Sequence, residues 1–162
     1  MNKRIIHLAY GGMMAALVFV ATSFLKIPVS VTQGYIHLGD GFILLGAALL
    51  GAPAIAAAAI GSMLADLLGG YTMYILPTFL IKGAVALVAV HAFARQRPLP
   101  VTLIWLVLAE AVMVAGYFLV EWLVLGYGLA AALGAVGPNI VQGASGVIIC
   151  AVLLPLKNRI KR

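Results

Sequence analysis

The sequence predicts an all-α integral membrane protein with six transmembrane helices and both termini in the cytoplasm, and three observations carry that expectation. Hydrophobic residues make up 65% of the 162-residue chain and charged residues 9%, with a mean hydropathy of +1.18, far from the balance of a soluble domain. The apolar stretches are cut by turn-forming residues into about six spans with short connections, the second and third of them short for a hydrocarbon core roughly 30 Å thick. The few polar residues, Asp40, Asp66, Lys82, Glu110, Glu121, Asn139 and Gln142, lie within or beside those stretches. An ionisable group at mid-depth costs at least about 2–3 kcal/mol, so such groups turn inward, pair, or line a solute site.

The elements follow in order within a single membrane domain, residues 1–162. Helices are expected at about 5–26, 38–51, 54–69, 74–94, 101–126 and 131–156. Pro28, Gly51-Ala52-Pro53, Gly69-Gly70, Pro98 with Pro100, and Gly126 to Gly128 separate them. The apolar run after Met1-Asn2-Lys3-Arg4 continues to about Leu25 without a good small-residue cleavage site, which reads as a retained first helix rather than a signal peptide. If residues 38–69 formed one span, Pro53 would fall mid-helix, where it removes a hydrogen bond. Two passes are preferred there, although a re-entrant hairpin gives the same parity. The runs around Ala56 to Ala59, Gly61, Gly143 and Gly146 predict close helix packing. The halves show no convincing inverted repeat of the kind found in secondary transporters.

The net charge of +6 is concentrated rather than spread over a face that could bind nucleic acid. Lys3 and Arg4, Arg95 and Arg97, and Lys157, Arg159, Lys161 and Arg162 form three clusters, all cytoplasmic by positive-inside bias. The opposite end then carries the loop Pro28 to Leu38, with Ser30, Thr32, Gln33, Gly34, Tyr35 and His37. Asp40 follows as a helix cap or a solute contact. Asp66 and Lys82 lie at similar depths, so Asp66–Lys82 or Asp40–Lys82 is expected as an ion pair fastening the bundle.

Glu110 and Glu121 are eleven residues apart, about three helical turns, and share a face with Tyr117 between them. Glu110 suits a structural role, and Glu121, nearer the exterior, a solute role. Asn139 and Gln142 share a helix face, and Pro138 suits a first turn; two adjacent amides can read a heteroaromatic ring or its hydroxyl groups. Tyr35, Tyr71, Tyr74, Tyr117, Trp122 and Tyr127 fall near the exterior level, where an interfacial belt accounts for some of them. His7 and His91 lie at the cytoplasmic ends as interfacial residues. Cys150, the single cysteine, is read as packing.

No nucleophile elbow, phosphate-cradling loop or metal-ligand spacing is present, so no cofactor, metal or catalytic residue is assigned. Reversible capture is favoured over bond-making. An autonomous carrier using Glu110 or Glu121 for proton coupling is the second reading, and a membrane enzyme acting on a lipid or isoprenoid the third.

The segments KIPV (26–29), GYIHLGD (34–40), LLGAP (49–53), GSMLADLLGGY (61–71), PTFLIKG (77–83), GYFLVEW (116–122) and PNIVQG (138–143) run in order across nearly the whole chain. Together they resemble the substrate-binding S components of energy-coupling factor (ECF) vitamin transporters, in the riboflavin-type branch. The resemblance implies a vitamin pocket near the outer surface, built by the first long loop and the outer parts of helices four to six. Its candidate residues are Tyr35, His37, Tyr74, Tyr117, Glu121, Asn139 and Gln142, with Asp40, Asp66 and Lys82 as a structural ion network. It implies a multi-pass protein of the bacterial cytoplasmic membrane, a membrane coupling subunit (T component) and two ABC ATPases as partners, and a tipping motion that carries the pocket inward. Gly12 and Ala16 stand where the family has small residues facing the coupling subunit, with Gly11 and Ala15 one step away. PNIVQG and GYFLVEW look most like S components for hydroxymethylpyrimidine or pyridoxine, with riboflavin as an alternative.

Overall fold

The computed structural model describes residues 3–24, 26–95 and 97–155; the basic cluster Lys157 to Arg162 and the end expected for the sixth helix lie outside them. Helix α1 (Lys3–Phe24) leads into a hairpin of β1 (Ile27–Val29) and β2 (Gly34–Ile36). Then come α2 (Gly39–Leu50), α3 (Pro53–Gly69), a 3₁₀ turn (Thr72–Tyr74), α4 (Ile75–Ala94), α5 (Leu99–Leu119), a π-helical turn (Val120–Val124) and α6 (Leu129–Leu153). Four segments, Ile5–Phe24, Thr72–Ala94, Leu99–Val124 and Leu129–Leu153, are long and apolar enough to cross a membrane. Helix α3 has 17 residues and α2 only 12, about 18 Å of rise for the latter.

The shortness of α2 follows from its place in the bundle. Helices α1, α3, α4, α5 and α6 pack as successive neighbours, and α2 sits against α1, α3, α4 and α6. From Gly39 to Ala48 every α2 residue except Phe42 is buried. A helix apolar all round belongs inside, and one screened from lipid by its neighbours has no need to match the bilayer's thickness. Glycine permits these close approaches. A Cβ on Gly61 of α3 would run into the Ala15 carbonyl oxygen of α1, and one on Gly146 of α6 would stand 3.0 Å from the Asp40 Cβ. Val18, Ile43, Leu44, Val85, Leu106 and Met113 complete the apolar core.

Several local expectations need correction. The loop expected at 28–38 is instead largely an antiparallel hairpin over residues 27–36, with Ile27 opposite Ile36, Pro28 opposite Tyr35 and Val29 opposite Gly34; two three-residue strands are too short for alternation to reveal. The N-cap of α2 is Leu38, and the Asp40 carboxylate makes no capping bond. The amide of Gly39 is satisfied instead by the His37 ring Nδ1 at 3.0 Å. Pro138 lies well inside α6 rather than in its first turn. Having no N–H, it leaves the α6 ladder one bond short beside Gly134 and Gly137. The fifth helix does not stay regular to 126: it widens at Val120, where the Leu125 amide reaches the Val120 carbonyl at 2.8 Å. Pro53, by contrast, opens α3 at its first position, as a proline should.

Candidate functional site

The ends of α1, α3 and α5 and the starts of α2, α4 and α6 converge on the hairpin. Beneath it lies a small cavity of about 30 Å³, room for about two waters. Its lining includes Tyr35, His37, Tyr74, Tyr117, Glu121, Asn139 and Gln142, together with Thr22, Thr32, Thr78 and Asp66. The sequence reading assigns none of these threonines to a site and gives Asp66 to the ion network; a threonine in an apolar run carries no signal that separates a site from packing.

Each side chain is held by a specific contact. The hairpin turn brings the Thr32 carbonyl onto the Tyr74 hydroxyl at 2.7 Å, and that hydroxyl also lies 3.1 Å from Glu121 Oε1. Tyr35 of β2 donates to Asp66 Oδ1 at 2.6 Å, and its ring meets those of Tyr71 (4.4 Å) and His37 (5.5 Å). The hydroxyls of Tyr117 and Thr78 are 2.9 Å apart. Glu121 lies in the π-helical turn, a type of irregularity often found at functional sites, which turns it toward the cavity. The Asn139 side chain is buried and makes no hydrogen bond with the described residues.

Behind the cavity a buried network ties the hairpin to three helices. Lys82 Nζ donates to Asp40 Oδ1 at 2.6 Å and Oδ2 at 2.9 Å, both side chains fully buried. Gln142 Nε2 donates to Asp40 Oδ2 at 2.6 Å, and Gln142 Oε1 accepts the His37 amide at 2.9 Å. Of the two ion pairs the sequence offers, the structure forms Asp40–Lys82, while Asp66 receives Tyr35 instead. Both ends of the Gln142 amide are occupied, so this residue organises the cavity wall. Lys82 Nζ also lies 5.4 Å from the centre of the Tyr117 ring, which links network to cavity.

Glu110 does not join Glu121. It is buried beside Gly143 of α6 and lines a separate apolar groove of about 720 Å³ between α5 and α6. Gly12 and Ala16 lie on the exposed face of α1, and a Cβ on Gly12 would meet nothing within 4 Å. Ala15 faces inward, its carbonyl oxygen against Gly61. At the far end of the bundle Arg97 donates to the His91 carbonyl at 2.8 Å and stacks 4.8 Å from the Trp105 ring.

His37 makes a pH prediction. Burial pushes its pKa down to about 3, Lys82 lowers it further, Asp40 opposes them and Lys26 adds a smaller lowering. Above its unfolded value near 6.5, both states are neutral and the residue contributes nothing. As pH falls from there toward 3, the unfolded chain takes up a proton that the folded one refuses, so stability is lost. Melting in detergent between pH 7.5 and 5 should show this loss in the wild type and a smaller one in His37→Asn. Equal losses in the two proteins would remove His37 as the cause.

Three comparisons bear on this arrangement. A family model described as ECF-type riboflavin transporter, S component, matches residues 2–161. A Pyrococcus woesei protein described as "Uncharacterized protein in gap 3'region" is 36% identical over 134 residues, 82% of this chain and 88% of that protein. The fold is also similar to a structure described under "Structure and mechanism of the S component of a bacterial ECF transporter", with a TM-score of 0.75 and 20% identity, covering 99% of this chain and 100% of that one.

Proposed function

The chain belongs to the ECF-type riboflavin transporter S component family, and on that premise we propose that it captures a small vitamin or vitamin precursor in the cavity beneath the hairpin. S components are transport subunits that bind small-molecule substrates and work with a T component and ATPases. For this chain the proposal is a multi-pass protein of the bacterial cytoplasmic membrane with six passes, both termini inside and the pocket facing out. Arg95 and Arg97 at the end opposite the hairpin support that orientation. The solute proposed is hydroxymethylpyrimidine or pyridoxine, with riboflavin as the alternative. Release inward depends on a coupling subunit and two ABC ATPases, with Gly12 and Ala16 on the docking face.

The observation that carries this reading is the convergence of phenols, amides and carboxyl groups from the hairpin and helices α3 to α6 on one small hollow. Such a set, mixed aromatic and polar, suits a small planar solute. At about 30 Å³ the hollow is too small for a vitamin ring, so binding requires the hairpin or the aromatic side chains to move outward.

Purified protein should bind about one vitamin molecule, and mass spectrometry of the copurifying small molecule should name it. Uptake into proteoliposomes should require the coupling subunit and ATP hydrolysis. Equal uptake by this chain alone, driven by an ion gradient, would establish an autonomous carrier instead. Asn139→Ala should weaken vitamin binding by roughly 1–3 kcal/mol by leaving buried ligand groups unpaired. Unchanged affinity in calorimetric titration would take Asn139 out of the site.

A further inference from the structure

We infer that the groove between α5 and α6 is a docking site for a membrane-spanning helix of another protein, one that carries a side-chain amide or hydroxyl at mid-depth. This goes beyond solute capture and uses none of the cavity residues. The starting point is Glu110, the buried acid that neither the cavity nor the ion network employs. It is 4% exposed, and neither carboxyl oxygen has a hydrogen-bond partner among the described residues. Lys82, which could answer it, gives its ammonium to both oxygens of Asp40. A carboxyl group kept from water without a partner is unfavourable whether or not it holds a proton, because in both states it retains an oxygen that needs a donor.

The groove gives that donor its way in. It runs from Val107 to Phe118 along α5 and from Leu133 to Ile148 along α6, roughly 16 Å and 22 Å of helix, and Glu110 is the one polar side chain in its described lining. Gly143 stands beside Glu110 in the wall. A Cβ there would lie 3.3 Å from Glu110 Oε2, so this oxygen sits directly behind the place where any other residue would carry its side chain. Ala111, Ala115 and Ala144 keep the rest of the walls low, and helix backbones in lipid approach each other where side chains are small.

Depth selects the occupant. Glu110 lies within two residues of the middle of the span Leu99–Val124, so lipid headgroups, the part of a phospholipid that carries donors, are about 15 Å away. An acyl chain fills the groove but leaves the carboxyl group unbonded. A second copy related by a two-fold axis brings the same hollow face and the same acid, which encloses a void instead of filling one. A helix differs from both, because it can carry an amide or hydroxyl at any level, and such side chains hydrogen-bond between helices in lipid. The face with Gly12 and Ala16 belongs to α1, which packs on α2 and α3, so the two docking surfaces are formed by different helices.

Synthetic peptides test this with the full-length protein in liposomes of phosphatidylcholine and phosphatidylglycerol. Each is a Leu/Ala helix of about 21 residues ended by lysines, with a diazirine-bearing leucine next to its centre. One has asparagine at the centre, one has leucine there, and one has asparagine moved about seven residues toward an end, roughly 10 Å away. The central-asparagine peptide should cross-link to the groove walls with a yield roughly tenfold above the other two. Glu110→Leu should bring that yield down to the level of the leucine peptide, while Glu110→Gln, which keeps an amide able to pair, should hold most of the preference. Vitamin affinity should be unchanged in both variants, so failure of this test leaves the transport reading standing, and failure of solute binding leaves this one standing. Ala115→Phe, which fills the groove and leaves Glu110 in place, should also lower the yield, and it carries the test if Glu110→Leu does not fold. Equal yields for the three peptides, cross-links elsewhere on the bundle, or no cross-link at all would overturn the docking site. Native mass spectrometry showing a retained lipid or a dimer in place of the peptide would do the same.

Discussion

Lys82→Met is expected to destabilise the protein by about 3–5 kcal/mol, because it strands the Asp40 carboxylate as an uncompensated charge in the bundle interior. Both partners are fully buried and the ammonium reaches both carboxylate oxygens, so no water can replace it without opening the core. The loss should spread to the site, since Asp40 also anchors Gln142, and Gln142 holds the His37 amide at the base of the hairpin. Thermal unfolding in detergent should show a large drop in melting temperature and a lower folded yield. Adding Asp40→Asn should recover much of the difference, because the neutral pair has no charge to strand and an amide oxygen can still accept from Gln142. Lys26→Met is the control: that ammonium is partly exposed and contacts rings and a carbonyl, so its removal should change stability by less than about 1 kcal/mol. An unchanged melting temperature for Lys82→Met would show that the pair contributes nothing to holding the helices.

The parts of this molecule that were legible in its sequence are those governed by local rules. Gly51-Ala52-Pro53 breaks the chain between α2 and α3 because proline needs a free first turn, and Gly70 ends α3 because the backbone there takes a left-handed φ of 82°. Polar residues in apolar runs marked the region of the cavity for the reason given by solvation: such groups turn inward. Partner choice was not legible. Whether Lys82 pairs with Asp40 or Asp66 depends on how α2 is seated among its neighbours, and the approach of Gly146 to Asp40 that sets this joins residues far apart in the chain. The role of Asp66 was obscured for the same reason, since its partner Tyr35 comes from a hairpin too short to leave a periodic signal. The π-helical turn that redirects Glu121 depends on the packing of α5, and regular three-turn spacing from Glu110 concealed it.

Gly12→Leu and Ala16→Leu should abolish the proposed association with the coupling subunit while leaving vitamin binding by the isolated chain intact. Between helices in lipid there is no hydrophobic gain from contact, so association depends on how closely the backbones approach, and a leucine holds them apart. Here the two residues lie one turn apart on the exposed face of α1, with nothing near the Gly12 position for a larger side chain to displace. The fold should therefore tolerate both changes. Gly61→Leu is the contrasting case, because its added side chain points at the Ala15 carbonyl and Val18, where α3 packs tightly against α1. That variant should lose stability and vitamin binding together. Copurification with the coupling subunit and ATPases, beside calorimetric titration of the isolated chain, separates the two outcomes. A tenfold or greater fall in complex yield with unchanged vitamin affinity is the expected result for the α1 variants. Normal complex yield with Gly12→Leu and Ala16→Leu would move the docking face away from this side of α1, whereas loss of vitamin affinity would mean that this face supports the fold.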